Sequence, residues 1–305
     1  MKIVTLTLSA AFDIHCDAKE LIVDHENIAS IMGIDAGGKG INISKALNSF
    51  KTASTAIAVL GRENADEFEN MLGKEGVRLQ KILIDGRIRE NITIHTDNGK
   101  ETRLSFNASA VPDGIMAEVE RITDSVCASD TIVTLTGRVP QGISMEDVKK
   151  YIASLKSKGI KVVVDSRSFS LSDLKAAKPF LIKPNEEEIS LYIGRDVSDL
   201  DEAERVAEAL REDGIENVMI TLGEKGSVIA SCDGIYRFKA PKIKAISTIG
   251  AGDSSIAGFL YAYTNGFDYK ECLRYSVAFG TAACLTSGTN PPKPEDVMKM
   301  LEKIN

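Results

Sequence analysis

Several absences narrow the reading first. The five cysteines (Cys16, Cys127, Cys232, Cys272 and Cys284) form no CxxC pair, and the three histidines are scattered. Both facts argue against a disulfide scaffold or a zinc site, and the adjacent His15 and Cys16 have no third ligand at suitable spacing. No apolar run reaches the roughly 18 residues a membrane span requires. The opening Met1-Lys2-Ile3-Val4-Thr5-Leu6 is a strand-like stretch too short for the apolar part of a signal peptide, so the expected compartment is the cytoplasm. An excess of positive charge is missing too. With 37 Lys and Arg against 44 Asp and Glu, the net charge is −7, which supports neither nucleic acid nor an anionic membrane as partner. An anionic substrate would have to be held by local Lys and Arg against that overall field. Internal repeats, low-complexity tracts and linkers fit to separate independent domains are also absent from the sequence.

What is present is a long alternation of strands and helices. The 305 residues, 43% apolar and 27% charged, can bury a large core. Ile3 to Leu8 reads as a buried strand that runs into Asp13. Thr52 to Leu60 and residues 79–84 are strands around a helix at Glu63–Lys74. From Val111 onward, helices at Ile115–Ile122, Met145–Lys156 and Leu200–Arg211 alternate with strands at Thr131–Leu135, Lys161–Val164, Phe180–Ile182 and Val218–Leu222. Polar or glycine-rich turns follow the strand ends. This pattern predicts a doubly wound, mostly parallel α/β sheet with a ligand rim at the carboxyl ends of its strands. Residues 226–239 read as an antiparallel hairpin around Asp233-Gly234, and three helices close the chain.

One hairpin interrupts the alternation. Ile92–Thr96 and Glu101–Phe106 flank Asp97-Asn98-Gly99-Lys100, and Asn-Gly between alternating runs is a strong hairpin signal. It should stand apart from the main sheet as a flap. Arg89 and Asn91 share one face of its first strand. A two-residue Asn98-Gly99 loop would set Arg103 opposite Ile94, facing the other way. Charges there would also serve simply to protect an exposed strand edge.

The chemistry concentrates at glycine-rich turns. In Thr248-Ile249-Gly250-Ala251-Gly252-Asp253-Ser254, two glycines precede a helix whose stripe is Ile256, Phe259, Leu260 and Tyr263. The segment before it, Pro241–Ser247, reads as ending in a strand. Unpaired N–H groups at a helix start favour an anion, and one carboxylate lies in the first turn, a pairing suited to phosphoryl transfer. The same residues would also suit an Asp that merely caps a helix. Asp35-Ala36-Gly37-Gly38-Lys39-Gly40-Ile41-Asn42 opens another helix. Gly33, Gly38 and Lys39 match part of a phosphate-binding P-loop, but Gly40 replaces the Ser or Thr that would ligate Mg²⁺, and no buried strand directly precedes it. What remains is a helix start carrying Lys39 and Asn42, suited to polar or anionic groups. Asn185-Glu186-Glu187-Glu188 opens a third helix. Its acids would serve either as dipole compensation or, through Asn185 and Glu188, as water-mediated support for Mg²⁺ near nucleotide phosphates.

Taken in order and spacing, the Asp35–Asn42 motif, the Asn185…Glu188 pair, Thr221-Leu222-Gly223…Gly226 and Gly250-Ala251-Gly252-Asp253 resemble the ribokinase-like (PfkB) carbohydrate kinase family over essentially the whole chain. The Asp35–Lys39 and Ile182–Glu188 stretches look most like its 1-phosphofructokinase/tagatose-6-phosphate kinase branch. The resemblance implies a core of residues 1–12, 36–88 and 109–305 and a discontinuous β lid of residues 13–35 and 89–108. It further implies ATP as donor, Mg²⁺, a ketohexose monophosphate as acceptor, and a homodimer formed through the lid.

Carried across by position, the resemblance makes Asp253 the catalytic base and Gly250, Ala251 and Gly252 the anion hole. Asp13, Gly37, Gly38 and Asn42 fall on the sugar side, while Lys39, Arg89 and Asn91 match positions that grip the acceptor's phosphate. Lys183, Asn185, Thr221, Gly223, Gly226 and Gly280 fall on the nucleotide side, with Asn185 and Glu188 supporting the metal through water. The chain departs from the branch on the sugar side. It has Ser9-Ala10-Ala11-Phe12-Asp13 for Asn-Pro-Ala-x-Asp, and Thr136-Gly137-Arg138-Val139-Pro140 for Ser-Gly-Ser-Leu-Pro. Ser105 and Asn107-Ala108 stand where Asn and Pro-Gly are expected. Arg138 thus puts a fixed cation in place of a small hydroxyl, which suggests an added phosphate contact. Two other readings stay open: a kinase of an uncharged sugar or nucleoside, and a sugar-phosphate sensor without turnover.

Overall fold

The structure, a computed structural model, describes residues 1–108 and 110–304; residues 109 and 305, which bound the last core segment of the expected division, lie outside them. In chain order the first elements are β1 (Lys2–Thr7), β2 (Ala11–Ala18), β3 (Ala29–Gly37), α1 (Lys39–Ser49), β4 (Thr55–Gly61), α2 (Ala65–Lys74) and β5 (Arg78–Ile84). Then come β6 (Arg89–Thr96), β7 (Glu101–Ser105), α3 (Ile115–Val126), β8 (Thr131–Thr136), α4 (Met145–Ser157), β9 (Lys161–Asp165), α5 (Leu171–Ala177) and β10 (Leu181–Ile182). The rest is α6 (Glu186–Ile193), α7 (Leu200–Glu212), β11 (Asn217–Thr221), β12 (Ser227–Ser231), β13 (Gly234–Phe238), α8 (Ala251–Thr264), α9 (Tyr269–Ala283) and α10 (Pro294–Lys303). Among the described residues, no helix is long and apolar enough to cross a membrane.

The main sheet runs β13-β12-β11-β10-β9-β8-β1-β4-β5 among the described residues, parallel except for β12 and β13. Its inner strands are buried almost end to end, as strands covered by helices on both faces must be. One face packs on α3, α4 and α7 through Val119, Val148, Ile152, Leu155 and Leu210. The other packs on α1, α8, α9 and α10 through Ile43, Leu47, Phe259, Phe279 and Leu301. From β1 the chain steps outward through β4 to β5, then returns through β8 to β11 on the other side. Adjacent strands that lead in opposite directions leave a crevice at their carboxyl ends, where open α/β sheets bind ligands.

A second sheet, ordered β3-β2-β6-β7, stands over that crevice. It is rooted in the core by Phe12, Ala36 and Ile41, with Phe12 edge-on to Phe68 at 5.3 Å. Asp13 is 4% exposed and belongs to this sheet rather than to the end of β1. It sits within β2, opposite Asn91 of β6 on one side and Asp35 of β3 on the other. The strand that precedes α1 belongs to this sheet and is largely exposed along β3, so the P-loop reading fails here as expected.

Two sequence expectations are corrected. The β6–β7 register pairs Thr93, not Ile94, with Arg103. The loop is three residues, Asp97-Asn98-Gly99, with Gly99 at φ 78° and the Asn98 carboxamide accepting from Lys100 N and Thr96 Oγ1. One extra loop residue flips every side chain of the following strand, which turns Arg103 to the face of Arg89 and Asn91. Second, Pro241–Ser247 forms no strand. Without a ladder partner its alternation pays nothing; Ile246 is 65% exposed, while Pro241, Ile243 and Ala245 line the cleft.

Candidate active site

Between the sheets lies a cleft of about 1430 Å³. At its centre the backbone reaches Gly250 at φ 78°, a left-handed turn that a side chain would strain, and enters α8. The amides of Gly250 and Gly252 have no hydrogen-bond partner among the described residues. Ala251 N is already partly engaged, donating to the Thr248 carbonyl at 3.4 Å. Asp253, in the first turn, is 6% exposed and its Oδ2 accepts a 2.8 Å bond from Asn42 Nδ2. Burial pushes its carboxyl up to about 6, against the pull of Lys39 and the Asn42 bond. Such a group is mostly ionised at neutrality yet more basic than an ordinary carboxylate, so it takes and returns a proton efficiently. Of the expected stripe of α8, Ile256, Phe259 and Leu260 are buried and Tyr263 is half-buried, but most of the helix surface around them is buried too, because α1 and α9 enclose it.

Beside this turn two ammonium groups share one carboxylate. Asp165, at the end of β9, is 2.9 Å from Lys39 Nζ through Oδ2 and 3.6 Å from Lys183 Nζ through Oδ1. Burial would raise the Asp165 pKa, yet Lys183 and Lys39 hold it below the ordinary value. Lys39 shows the converse: burial lowers its pKa, but Asp165 and then Asp253 outweigh that and raise it. Lys183 also lies against the turn, since a Cβ on Gly252 would come within 3.4 Å of its Nζ. Two fixed cations and a helix N-terminus thus converge on one point of the cleft.

The face below the small sheet is also basic. Arg89 donates through Nη1 to the Phe106 carbonyl at 2.8 Å and through Nη2 to Ser9 O at 3.4 Å, while its buried Nε has no partner. Burial lowers its pKa, and the charges of Arg138 and Arg103 add to that. Arg138, presented by the turn after β8, makes no ion pair or side-chain hydrogen bond among the described residues. Arg103 Nη2 and Asn91 Nδ2 both donate to Asp13 Oδ1 at 2.8 Å. Three guanidiniums therefore face one carboxylate, an excess of positive charge opposite to the sign of the whole chain.

At the other end, Asn185 and Thr221 form an isolated parallel bridge, placing the start of α6 beside the end of β11. Asn185 and Glu188 make a reciprocal capping box, so the ordinary helix-capping role is realised. Glu188 Oε1 also accepts from Arg167 Nε at 2.9 Å. Among the described residues no group of three or more His, Cys, Asp or Glu could hold a metal ion by itself. The donors on offer are Glu188, which like Asp165 acts on Lys39, and the buried Oδ1 of Asp165, which faces Lys183 but has no hydrogen-bond partner among the described residues. This set suits an ion that keeps most of its waters and takes other ligands from phosphate, as Mg²⁺ does.

Of the expected site residues, Asp13, Gly38, Lys39, Asn42, Arg89, Asn91, Arg138, Lys183, Asn185, Glu188, Thr221, Gly223, Gly280 and the Gly250–Asp253 turn all line this one cleft. Gly37 and Gly226 lie behind it. A Cβ on Gly37 would meet Asp13 Oδ2 at 2.2 Å, and one on Gly226 would meet the Phe238 carbonyl at 2.0 Å. Sequence reasoning gave Asp165 no role, although a carboxylate at the carboxyl end of a parallel strand is the signal used for other residues.

Comparison with known proteins identifies the family and the fold. The family model for the pfkB family carbohydrate kinases matches residues 7–296. The 1-phosphofructokinase of Haemophilus influenzae is 30% identical over 305 residues, 99% of this chain and 97% of that protein. The 1-phosphofructokinase of Borreliella burgdorferi is 33% identical over the same shares. The crystal structure of phosphofructokinase-2 from Escherichia coli in complex with substrates and products superposes with a TM-score of 0.93 at 25% identity, over 99% of each chain. With a family model matched over residues 7–296 and relatives at 30% identity or more over nearly the whole chain, the chain belongs to the pfkB family of carbohydrate kinases, phosphotransferases that act on a sugar hydroxyl.

Proposed function

We propose that the chain transfers the γ-phosphoryl group of ATP to a hydroxyl of a ketohexose monophosphate, giving the bisphosphate. Fructose 1-phosphate is the first candidate and tagatose 6-phosphate the second. The observation that carries this reading is the charge of the cleft: Asp253 at the α8 turn has Lys39 and Lys183 on one side and Arg89, Arg103 and Arg138 on the other. A free sugar would leave those guanidiniums unneutralised, whereas a second phosphate would neutralise them. Relatives named 1-phosphofructokinase support the order of the candidates.

In the proposed reaction Asp253 takes the proton from the acceptor hydroxyl as its oxygen attacks the γ-phosphorus. The bond from that phosphorus to the bridging oxygen breaks, and ADP leaves with the electron pair. The Gly250–Gly252 amides and Lys183 hold charge on the transferring group, positioning that supplies most of such catalysis. Glu188, Asn185 and Asp165 would support a bound magnesium ion through water, and the ion would supply charge neutralisation at the phosphates. Thr221, Gly223 and Gly280 line the nucleotide end, and Asp13, Gly38 and Asn42 face the sugar hydroxyls.

The small sheet is the lid of this cleft. Its outward residues include Ile28, Ile31, Met32, Leu104 and Phe106, all more than 45% exposed, and this supports a homodimer formed lid to lid. The deciding experiment is a coupled ADP-release screen with fructose 1-phosphate, tagatose 6-phosphate, fructose 6-phosphate, free sugars and nucleosides. Turnover confined to the sugar phosphates is expected. Turnover best with a free sugar would overturn the acceptor class, and ADP release with none would favour the sensor reading.

A further inference from the structure

Two ionisable groups of the small sheet take no part in the chemistry above. His15 of β2 and Asp35 of β3 meet with Nε2 3.2 Å from Oδ2, an ionic contact too poorly aligned to be a hydrogen bond. Both ring nitrogens are buried and neither has a hydrogen-bond partner among the described residues. The ring of His95 stacks on His15 at 6.2 Å.

On the core side this pair touches the turn that follows α9. Thr289 Oγ1 donates a long 3.5 Å bond to Asp35 Oδ2. Gly288 holds φ 60°, and a Cβ there would fall 2.6 Å from the His15 ring and 3.2 Å from Asp35 Oδ2, so only glycine allows this approach. The same turn reaches the catalytic backbone, because the Thr289 Cα lies 3.7 Å from where a Cβ of Gly250 would stand. Packed contacts thus run from His15 and Asp35, through Gly288 and Thr289, to the left-handed residue that starts α8 and aims Asp253.

We propose that His15 and Asp35 are positioning residues, docking the lid on the Gly288–Thr289 turn and thereby fixing the Gly250 turn for phosphoryl transfer. This rests on the kinase reading of the cleft. The groups facing the imidazole are Asp35 of β3, Asp13 of its own strand, Arg103 of β7 and His95 of β6, which itself pairs with Glu101; Lys45 of α1 acts on Asp35. The Asp35 contact raises the His15 pKa against burial and Arg103. Docking is therefore strongest with the ring protonated and weakens as pH rises through that raised value. Activity should climb as Asp253 ionises and decline as His15 loses its proton.

The test compares kcat and KM against pH for the full chain, His15→Gln and His15→Lys. His15→Gln should lower kcat about tenfold, leave KM for ATP nearly unchanged and abolish the alkaline limb. His15→Lys, which keeps a cation at high pH, should restore kcat without the limb. An unchanged alkaline limb in His15→Gln would overturn the proposal, as would a loss of the same size at every pH. Hydrogen exchange of the ligand-free chain at about pH 6 and pH 8 gives a reading without turnover. The wild-type lid and Gly288 turn should lose protection at the higher pH, and His15→Gln should lack it at both. Equal wild-type protection at both pH values would sink the docking alone, whereas absence of ADP release with every acceptor would sink the kinase reading.

Discussion

The carboxamide of Asn42 donates a 2.8 Å hydrogen bond to Oδ2 of Asp253 across 211 residues of chain, tying the first turn of α1 to the first turn of α8. The bond favours the ionised carboxylate, and burial opposes it. Asn42→Ala should therefore raise the Asp253 pKa and move the acid limb of the pH–rate profile upward. A loss of kcat of about tenfold near neutrality corresponds to one such bond at a charged group. An acid limb at the wild-type position in Asn42→Ala would refute this coupling.

On the proposed mechanism Asp253→Asn should cut kcat by at least ~10²-fold while ATP still binds, since it removes the proposed proton acceptor and leaves the Gly250–Gly252 amides in place. The same change bears on stability. With a native pKa near 6, the folded chain holds this proton at pH values where the unfolded chain has released it. Stability from this group is thus present at low pH and lost as pH rises through about 6. The melting temperature of Asp253→Asn should gain on that of the wild type across this interval. Parallel melting curves against pH would count against the buried charge.

Among the described residues Arg138 has no ion-pair or side-chain hydrogen-bond partner to lose, so its removal should be read in the acceptor and not in stability. Arg138→Ser should raise KM for the sugar phosphate by roughly tenfold or more, the worth of a charge-assisted bond. KM for ATP and the melting temperature should stay put. An unchanged KM for every sugar phosphate would remove Arg138 from the site.

Asp165 presents the opposite case, a buried carboxylate balancing Lys39 and Lys183. Asp165→Asn leaves two ammonium groups facing a neutral amide and should cost about 3 kcal/mol of stability, measured by denaturant unfolding. Adding Lys39→Met should recover part of that loss. A double variant no more stable than the single one would show that the pair is not coupled.

The outward face of the lid predicts an assembly. The wild type should sediment as a dimer, and Ile31→Asp combined with Met32→Asp should yield a monomer. A wild-type monomer at micromolar concentration would reject lid-to-lid pairing.

Much of this molecule was legible in one dimension. Buried parallel strands favour β-branched runs, and helices against them favour apolar stripes, so the alternation from Val111 onward maps onto β8 to β11 and onto α3, α4 and α7, while the short α5 was not foreseen. The Gly250–Asp253 turn and the Asp35–Asn42 stretch were legible for a similar reason: the positive-φ backbone at Gly250 and Gly38, each at a helix start, restricts the local residue types severely. Pro241–Ser247 was misread because alternation proposes a strand but only a free neighbouring edge can accept one.

By itself, then, the chain determined the α/β class, the hairpin and the glycine turns, because each follows from interactions among residues close in sequence. Only the tertiary structure decided which face Arg103 presents, that Asp165 binds two lysines, and that His15 and Asp35 press on the turn behind Gly250. Those relationships depend on loop register and on contacts between segments far apart in the chain. No local preference encodes them, and they exist only once burial has fixed the two sheets against each other.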